Sequence, residues 1–405
     1  MVRLDQDRAT TSAELRSYNL ARLLRAVHDG DGARTRAELT RQLSLARGTA
    51  TVLVRELAAR QLIEELASPA QGARGRPTGV PSAHPRGPVA LAVDLRDDSF
   101  SVAAFELTGT GTVLRQHPRT GQDGAEMLAE VAASVAEYRA EFGARVVGVG
   151  VAVPSPVSDG RMVQPTLLDW RGVDVAETIA QDVRVGNDAT LAGLAEARRG
   201  ALRGVSVALH LHAATGIGGV LLADGSPLTG ASGAAGEFGH MPLAGGTRRC
   251  RCGSVGCWEL EAGTRGLLRR AGRPESGDRM AEASRIIANA VADPMCAAAL
   301  TDVAEALGRG VGALVNAHDP EAVGLSGLAA RVYQAAPPAV WSGYQATLMR
   351  FRRADPPPLI PSRLDDLGPL MGAAELVFDE FLTPRGVMAW RDPARKSGDL
   401  TTTSW

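Results

Sequence analysis

Apolar runs alternating with helical patterns from residue 89 onward predict an α/β body. A short, arginine-rich segment of helical spacing in front of it predicts a separate N-terminal module. A third observation divides the two: residues 68–88 are rich in glycine, proline and arginine. At 405 residues the chain exceeds what one ordinary core organises, which agrees with two or three domains.

In the N-terminal module, Leu20, Leu23, Leu24 and Val27 recur at helical spacing until Gly30-Asp31-Gly32 interrupts them. Thr35 and Glu38 have the spacing of a capping box, with Leu39 and Leu43 on the face set for burial. A tight turn through Ser44 leads to a third helix over residues 46–60. Its Leu53, Val54 and Leu57 face inward, and Arg47, Thr49, Thr51 and Arg55 face solvent. Helix, short turn and helix, with basic and hydroxyl residues early in the second, is the arrangement that enters a DNA major groove. Ala46 stands where a capping serine is expected, at a cost of about 1 kcal/mol of helix stability. Residues 62–65 read as the first strand of a wing, and residues 68–88 as wing and linker. Arg74 and Arg76 flank a glycine there, in an extended segment suited to a narrow, electronegative minor groove. Charge agrees: residues 1–88 hold fourteen arginines against nine acidic residues, although the whole chain carries −1.

The body begins with an apolar run over residues 89–93 that ends in Asp94. Residues 100–107 and 146–153 are further strand candidates, with a helical pattern over 125–142 between them. Two more apolar runs lie within 207–222, separated by Thr215-Gly216-Ile217-Gly218-Gly219, and helical patterns return over 279–291 and 295–317. Residues 384–405, with Arg385, Arg391 and Lys396, read as a solvated, disordered tail. Hydrophobic content of 45% and charged content of 22% are those of a globular protein. No apolar run is long enough to span a bilayer and the N-terminal residues have no apolar leader core, so no membrane association and a cytoplasmic location are expected.

Cysteine carries the sharpest chemistry. Cys250, Cys252 and Cys257 fall within eight residues, and His240 lies ten residues upstream of the first. One imidazole and three thiolates complete a closed tetrahedral Zn2+ site, with no position left for a reactive water, so a structural role is expected. Gly253 and Gly256 allow the backbone to fold tightly around an ion. Cys296 stands apart and reads as a small core residue.

The run Gly236-Glu237-Phe238-Gly239-His240, followed by the cysteines from Cys250 to Glu259, resembles the signature of the ROK family (repressors, open reading frames, sugar kinases). Asn187-Asp188-Ala189 resembles that family's sugar-binding and catalytic segment, Thr215–Gly219 its second phosphate loop, Gly324-Leu325-Ser326-Gly327 a nucleotide-strand end, and Gly372-Ala373-Ala374 its final helix. With the N-terminal winged helix-turn-helix, the resemblance covers residues 16–382. It implies a two-lobed, actin-like (ribonuclease H-like) fold with a sugar in the cleft. The expected domains are a winged helix and linker over 14–86, a first lobe over 87–198, a second, zinc-bearing lobe over 199–383 and the tail over 384–405. The resemblance assigns sugar contacts to Asn187, Asp188, Glu237, His240 and Glu259. Carboxylates and amides suit paired hydroxyls, and His240 would bind zinc through one ring nitrogen and face the sugar with the other. In the family's kinases, the aspartate at position 188 is the general base.

One departure decides between functions. The kinases carry Asp-x-Gly-Gly-Thr-Lys after the first strand, whereas this chain has Asp94-Leu95-Arg96-Asp97-Asp98-Ser99. Both glycines are gone, and two carboxylates stand where a triphosphate would lie. Each would cost on the order of 4 kcal/mol at about 4 Å from a phosphate charge. Asp188 is therefore expected to be a vestigial base. The expectation is a non-enzymatic, sugar-responsive repressor, a homodimer or homotetramer that binds operator DNA. An ATP-dependent sugar kinase with an accessory DNA module is the alternative.

Overall fold

The computed structural model describes residues 11–67, 79–97, 99–118, 124–162, 174–179, 182–243, 245–275 and 277–390. Arg74, Arg76 and Asp98 lie outside them. In the N-terminal module, α1 (Ser12–Asp29) starts on a capping box that the sequence reading missed: Thr11 accepts from the Glu14 amide while the Glu14 carboxylate accepts from that of Thr11. The expected box of Thr35 and Glu38 opens α2 (Arg36–Gln42). Ser44, at φ 53°, makes the tight turn to α3 (Arg47–Ala59). Ala46 supplies no side-chain cap, as expected. β1 (Ile63–Leu66) pairs antiparallel with β2 (Val80–Ala83), so a second strand lies inside the stretch read as wing and linker.

Two five-stranded sheets form the body. The first has the order β5-β4-β3-β6-β9, from β3 (Val89–Leu95), β4 (Ser99–Glu106), β5 (Gly111–Pro118), β6 (Val146–Val153) and β9 (Val183–Asn187). All seven residues of β3 are buried, which is why it reads as an unbroken apolar run. α4 (Gly124–Phe142) covers one face; the short hairpin β7 (Val157–Ser158) and β8 (Arg161–Met162) and α5 (Val175–Ile179) lie beside β9. The second sheet has the order β12-β11-β10-β13-β14, from β10 (Val207–Ala213), β11 (Ile217–Ala223), β12 (Ser226–Pro227), β13 (Ala322–Gly327) and β14 (Leu359–Pro361). Around it lie α7 (Glu259–Ala262), α8 (Thr264–Arg270), α9 (Arg279–Asn289), α10 (Pro294–His318), α11 (Leu328–Ala335) and α12 (Pro337–Thr347). No single helix among the described residues is long and apolar enough to cross a membrane. The bent pair α9 and α10, which has the composition together, packs Ile286, Leu300 and Val303 into the core of this lobe.

The joint between lobes is a pair of helices. α6 (Asp188–Arg199) packs on β10 and β11 of the second sheet, and α13 (Gly368–Phe381) packs on β3 and β6 of the first. The two helices pack on each other through glycine. A Cβ on Gly372 would lie 2.1 Å from the Leu191 carbonyl oxygen; where α13 meets β6, one on Gly150 would lie 2.0 Å from the Ala373 carbonyl oxygen. This corrects the expected boundary: α13 falls within residues 199–383, assigned to the second lobe, yet it completes the first.

The expected tail also needs correction. α14 (Pro384–Ala389) is a helix that packs on α1, with Val387 buried, and Trp390 donates from Nε1 to the Arg60 carbonyl at 2.9 Å. Residues 391–405 lie outside the described residues. The N-terminal module is likewise no loosely tethered unit. Leu20, Leu24 and Leu57 of the module, Phe105 and Leu107 of the first lobe, Leu191 and Leu194 of α6, and Phe378 and Val387 belong to one continuous core.

Candidate functional site

The cleft between the lobes gathers residues far apart in sequence. Asn187, Asp188, Glu237, His240 and Glu259, all singled out in the sequence, line one cavity open to solvent. Asn187 caps α6: its Oδ1 accepts from the Thr190 amide at 3.0 Å, while its Nδ2 donates to the Ser155 carbonyl at 3.2 Å. β9 therefore delivers both residues of the pair to the cleft floor as the strand ends and the helix begins. Burial pushes Asp188 up to about 7, helped by the negative charges of Asp94 and Glu237 and opposed by the Ala189 amide and Arg96. Burial also raises Glu237, with Glu259 adding to the shift and His240 opposing it. Near neutral pH the Asp188 carboxyl can therefore donate as well as accept a hydrogen bond, which matches the dual character of sugar hydroxyls.

The cysteine cluster meets this cavity through His240. His240, Cys250, Cys252 and Cys257 present ligand atoms that all lie within 4.8 Å of one another. Cys250 Sγ is 3.6 Å from His240 Nδ1, and Cys252 Sγ is 3.6 Å from Cys257 Sγ. Those separations match the edges of a tetrahedron with bonds of about 2.0–2.3 Å, so the donor set fits zinc. The other ring nitrogen of His240, Nε2, lies 3.7 Å from Glu237. The backbone closes the cluster with left-handed Gly253 and Gly256, at φ 96° and 80°, and with the Cys250 amide donating to the Ser254 carbonyl.

Basic and imidazole side chains complete the lining. Arg96, His212, Arg251 and Arg265 also line the cavity. Arg96 donates from Nε to Asp94 at 2.8 Å, so the arginine that replaces the first loop glycine is tied down beside Asp188. Burial, with the charges of His210 and Arg96, pushes His212 down to about 3. The neutral ring shares the Ser326 hydroxyl with His210, at 2.8 and 3.0 Å. Alternation along β10 could have placed both histidines on one face; the shared serine comes from β13.

In α3, Arg47, Thr49 and Arg55 are exposed. Thr51 is half-buried and donates its hydroxyl to the Arg47 carbonyl at 2.9 Å, so the expectation that it faces solvent holds only in part.

A charged cluster absent from the sequence reading joins this module to the cleft. At the far end of α6 from Asp188, Arg199 reaches Glu375 at 2.8 Å and the His28 carbonyl at 2.7 Å. Arg198 bonds Glu375 and Asp379, at 2.9 and 2.8 Å. From α1, His28 Nε2 meets Glu375 at 3.0 Å and Arg25 meets Asp379 at 2.8 Å. Burial alone would raise Glu375, but His28, Arg199 and Arg198 outweigh it and hold the carboxyl well below its usual range.

Two packed α/β lobes with a polar cleft at their joint define a sugar-kinase-like body carrying an N-terminal helical module. The ROK family model matches residues 90–380, and the chain belongs to the ROK family. It is 33% identical over 257 residues to a kanosamine kinase from Amycolatopsis mediterranei, covering 62% of this chain and 82% of that one. It is 24% identical over 361 residues to the xylose repressor of Bacillus subtilis, covering 86% and 92%. Among solved structures, a ROK family transcriptional regulator described as a homologue of the E. coli MLC protein superposes with a TM-score of 0.73 at 22% identity, covering 92% of this chain and 98% of that one. A Streptomyces griseus glucokinase solved with glucose and AMPPNP superposes with a TM-score of 0.63 at 24% identity, covering 72% and 99%. At these identities the structural likeness concerns the fold.

Proposed function

We propose that this protein is a sugar-responsive, DNA-binding transcriptional regulator, a repressor that works as a homodimer or homotetramer and transfers no phosphoryl group. The observation that carries the reading is α6. Its first turn lines the cleft with Asp188, and its last turn holds α1 of the helical module through Arg198, Arg199 and Glu375. A ligand that shifts α6 relative to the sheets therefore shifts the module, which shares a core with the body. Arg47, Thr49, Thr51 and Arg55 would meet the major groove, Thr51 through its methyl group or as an acceptor. Arg74 and Arg76 would enter the minor groove. Zn2+ held by His240, Cys250, Cys252 and Cys257 would fix the ring that orients the sugar; it supplies structure rather than reactivity. A sugar that binds one arrangement of the lobes better than the other changes operator affinity by that difference. Similarity to the xylose repressor over 86% of this chain supports the reading, since that match extends beyond the kinase-like body.

The test is thermal unfolding of zinc-replete protein against free sugars, amino sugars and sugar phosphates. A ligand of the native state raises the melting temperature, and Glu237→Ala is expected to abolish the rise. A full panel without any shift would overturn the sensor reading. The kinase alternative has its own support in the similarity to kanosamine kinase and in an Asp188 poised near neutrality. Sugar-dependent release of ADP that disappears in Asp188→Ala would establish it.

A further inference from the structure

Asp97 bridges the two lobes. It leaves the turn between β3 and β4 in the first lobe, and its Oδ1 accepts from the Thr215 hydroxyl at 2.7 Å. Its Oδ2 pairs with the guanidinium of Arg279. Both partners belong to the second lobe. Thr215 lies between β10 and β11, and α9, which Arg279 opens, anchors in that lobe's core through Ala283 and Ile286. Neither charged group is out in solvent: side-chain exposure is 21% for Asp97 and 14% for Arg279.

A hydroxyl and a guanidinium converging on two oxygens of one anion is a donor set that suits a phosphate group. Here a carboxylate of the chain itself occupies it. We propose that Asp97 is a built-in substitute for a bound phosphate. It fills an anion subsite made by Thr215 and Arg279, and so latches the lobes together without a nucleotide. The neighbouring Arg96 does not draw Asp97 away, because Arg96 is paired with Asp94. Two consequences follow. The subsite is closed to an outside anion as long as Asp97 keeps it. The resting arrangement of the lobes is set by an internal contact, which leaves the sugar side of the cleft as the place where a ligand acts.

This inference does not depend on the regulatory reading. Its test uses neither sugar nor DNA, so its failure would leave that reading standing. The full-length, zinc-replete chain is titrated with inorganic phosphate, and separately with tripolyphosphate, while thermal unfolding is followed at constant ionic strength. The wild type is expected to give little response. Asp97→Ala is expected to gain a saturable rise in melting temperature, with affinity at least about tenfold higher because a competing unit charge has gone. Arg279→Gln added to Asp97→Ala is expected to remove the gain. Small-angle scattering adds a second readout: Asp97→Ala is expected to have a larger radius of gyration, which phosphate restores. Asp97→Asn keeps the shape and drops the charge, and serves if the alanine variant does not fold. An equal phosphate response in wild type and either Asp97 variant, or a gain that survives Arg279→Gln, would overturn the proposal.

Discussion

Asp188 is a carboxyl placed where ionisation is disfavoured. Asp94 and Glu237 are near it, and the walls of the cleft withdraw it from water. Its native pKa of about 7 exceeds the ordinary 3.8, so between those values the folded chain holds a proton that the unfolded chain has released. The stabilisation that this proton brings is complete below the unfolded value and is lost as pH rises through about 7. Asp188→Asn cannot release it. The variant is expected to gain on the wild type steadily from pH 4 to pH 8 in urea unfolding; a difference independent of pH would show that Asp188 titrates normally. A bound sugar that accepts from the protonated carboxyl is expected to favour the same form.

At the scale of elements, α6 and α13 form the joint between the lobes and, in the proposed function, its transmitter. They approach closely because small residues face each other, and the place of Gly372 is set by a backbone oxygen rather than by a side chain that could turn aside. Gly372→Ala puts a methyl group against the Leu191 carbonyl and forces the helices apart. We expect a loss of about 1–3 kcal/mol, read from the denaturant midpoint, together with weaker coupling between cleft and module. A neutral substitution would mean that the joint yields easily.

For the whole molecule, the proposed coupling between sugar and operator must be reciprocal: a sugar that weakens operator binding by some factor is itself bound more weakly by that factor when operator is present. The charged cluster at α1 offers a way to cut the connection without touching either site. Arg25 is 28% exposed and joins α1 to α13 through Asp379. Arg25→Ala is expected to leave sugar affinity intact and to reduce the sugar-induced change in operator affinity by about 0.5–2 kcal/mol, about two- to thirty-fold. Titration calorimetry for the sugar and fluorescence anisotropy for the DNA would measure both; an unchanged ratio would place the transmission elsewhere, for example through α14 and the bond from Trp390 to Arg60.

The features legible from sequence are those whose chemistry is local. The capping box of Thr35 and Glu38, the buried run of β3 and the spacing of His240 with Cys250, Cys252 and Cys257 each lie within one short stretch of chain, and the structure places them as that stretch implies. Asn187 and Asp188 are also neighbours, so their position at a strand end could be read, although their perturbed surroundings could not. Other features rest on pairings across the chain. Asp97 looks like damage to a loop until Thr215, 118 residues on, and Arg279, 182 residues on, close around it. Likewise His28 and Glu375 are separated by 347 residues, and nothing beside either one signals the other. β2 lies in a stretch whose glycine and proline content spoke for a linker, and α14 in a stretch whose charge spoke for a tail; each is ordered by a surface that another part of the chain provides. Local propensity and ligand spacing are properties of neighbouring residues, whereas a latch, a shared core and a transmitting helix exist only once folding has brought distant residues within bonding distance.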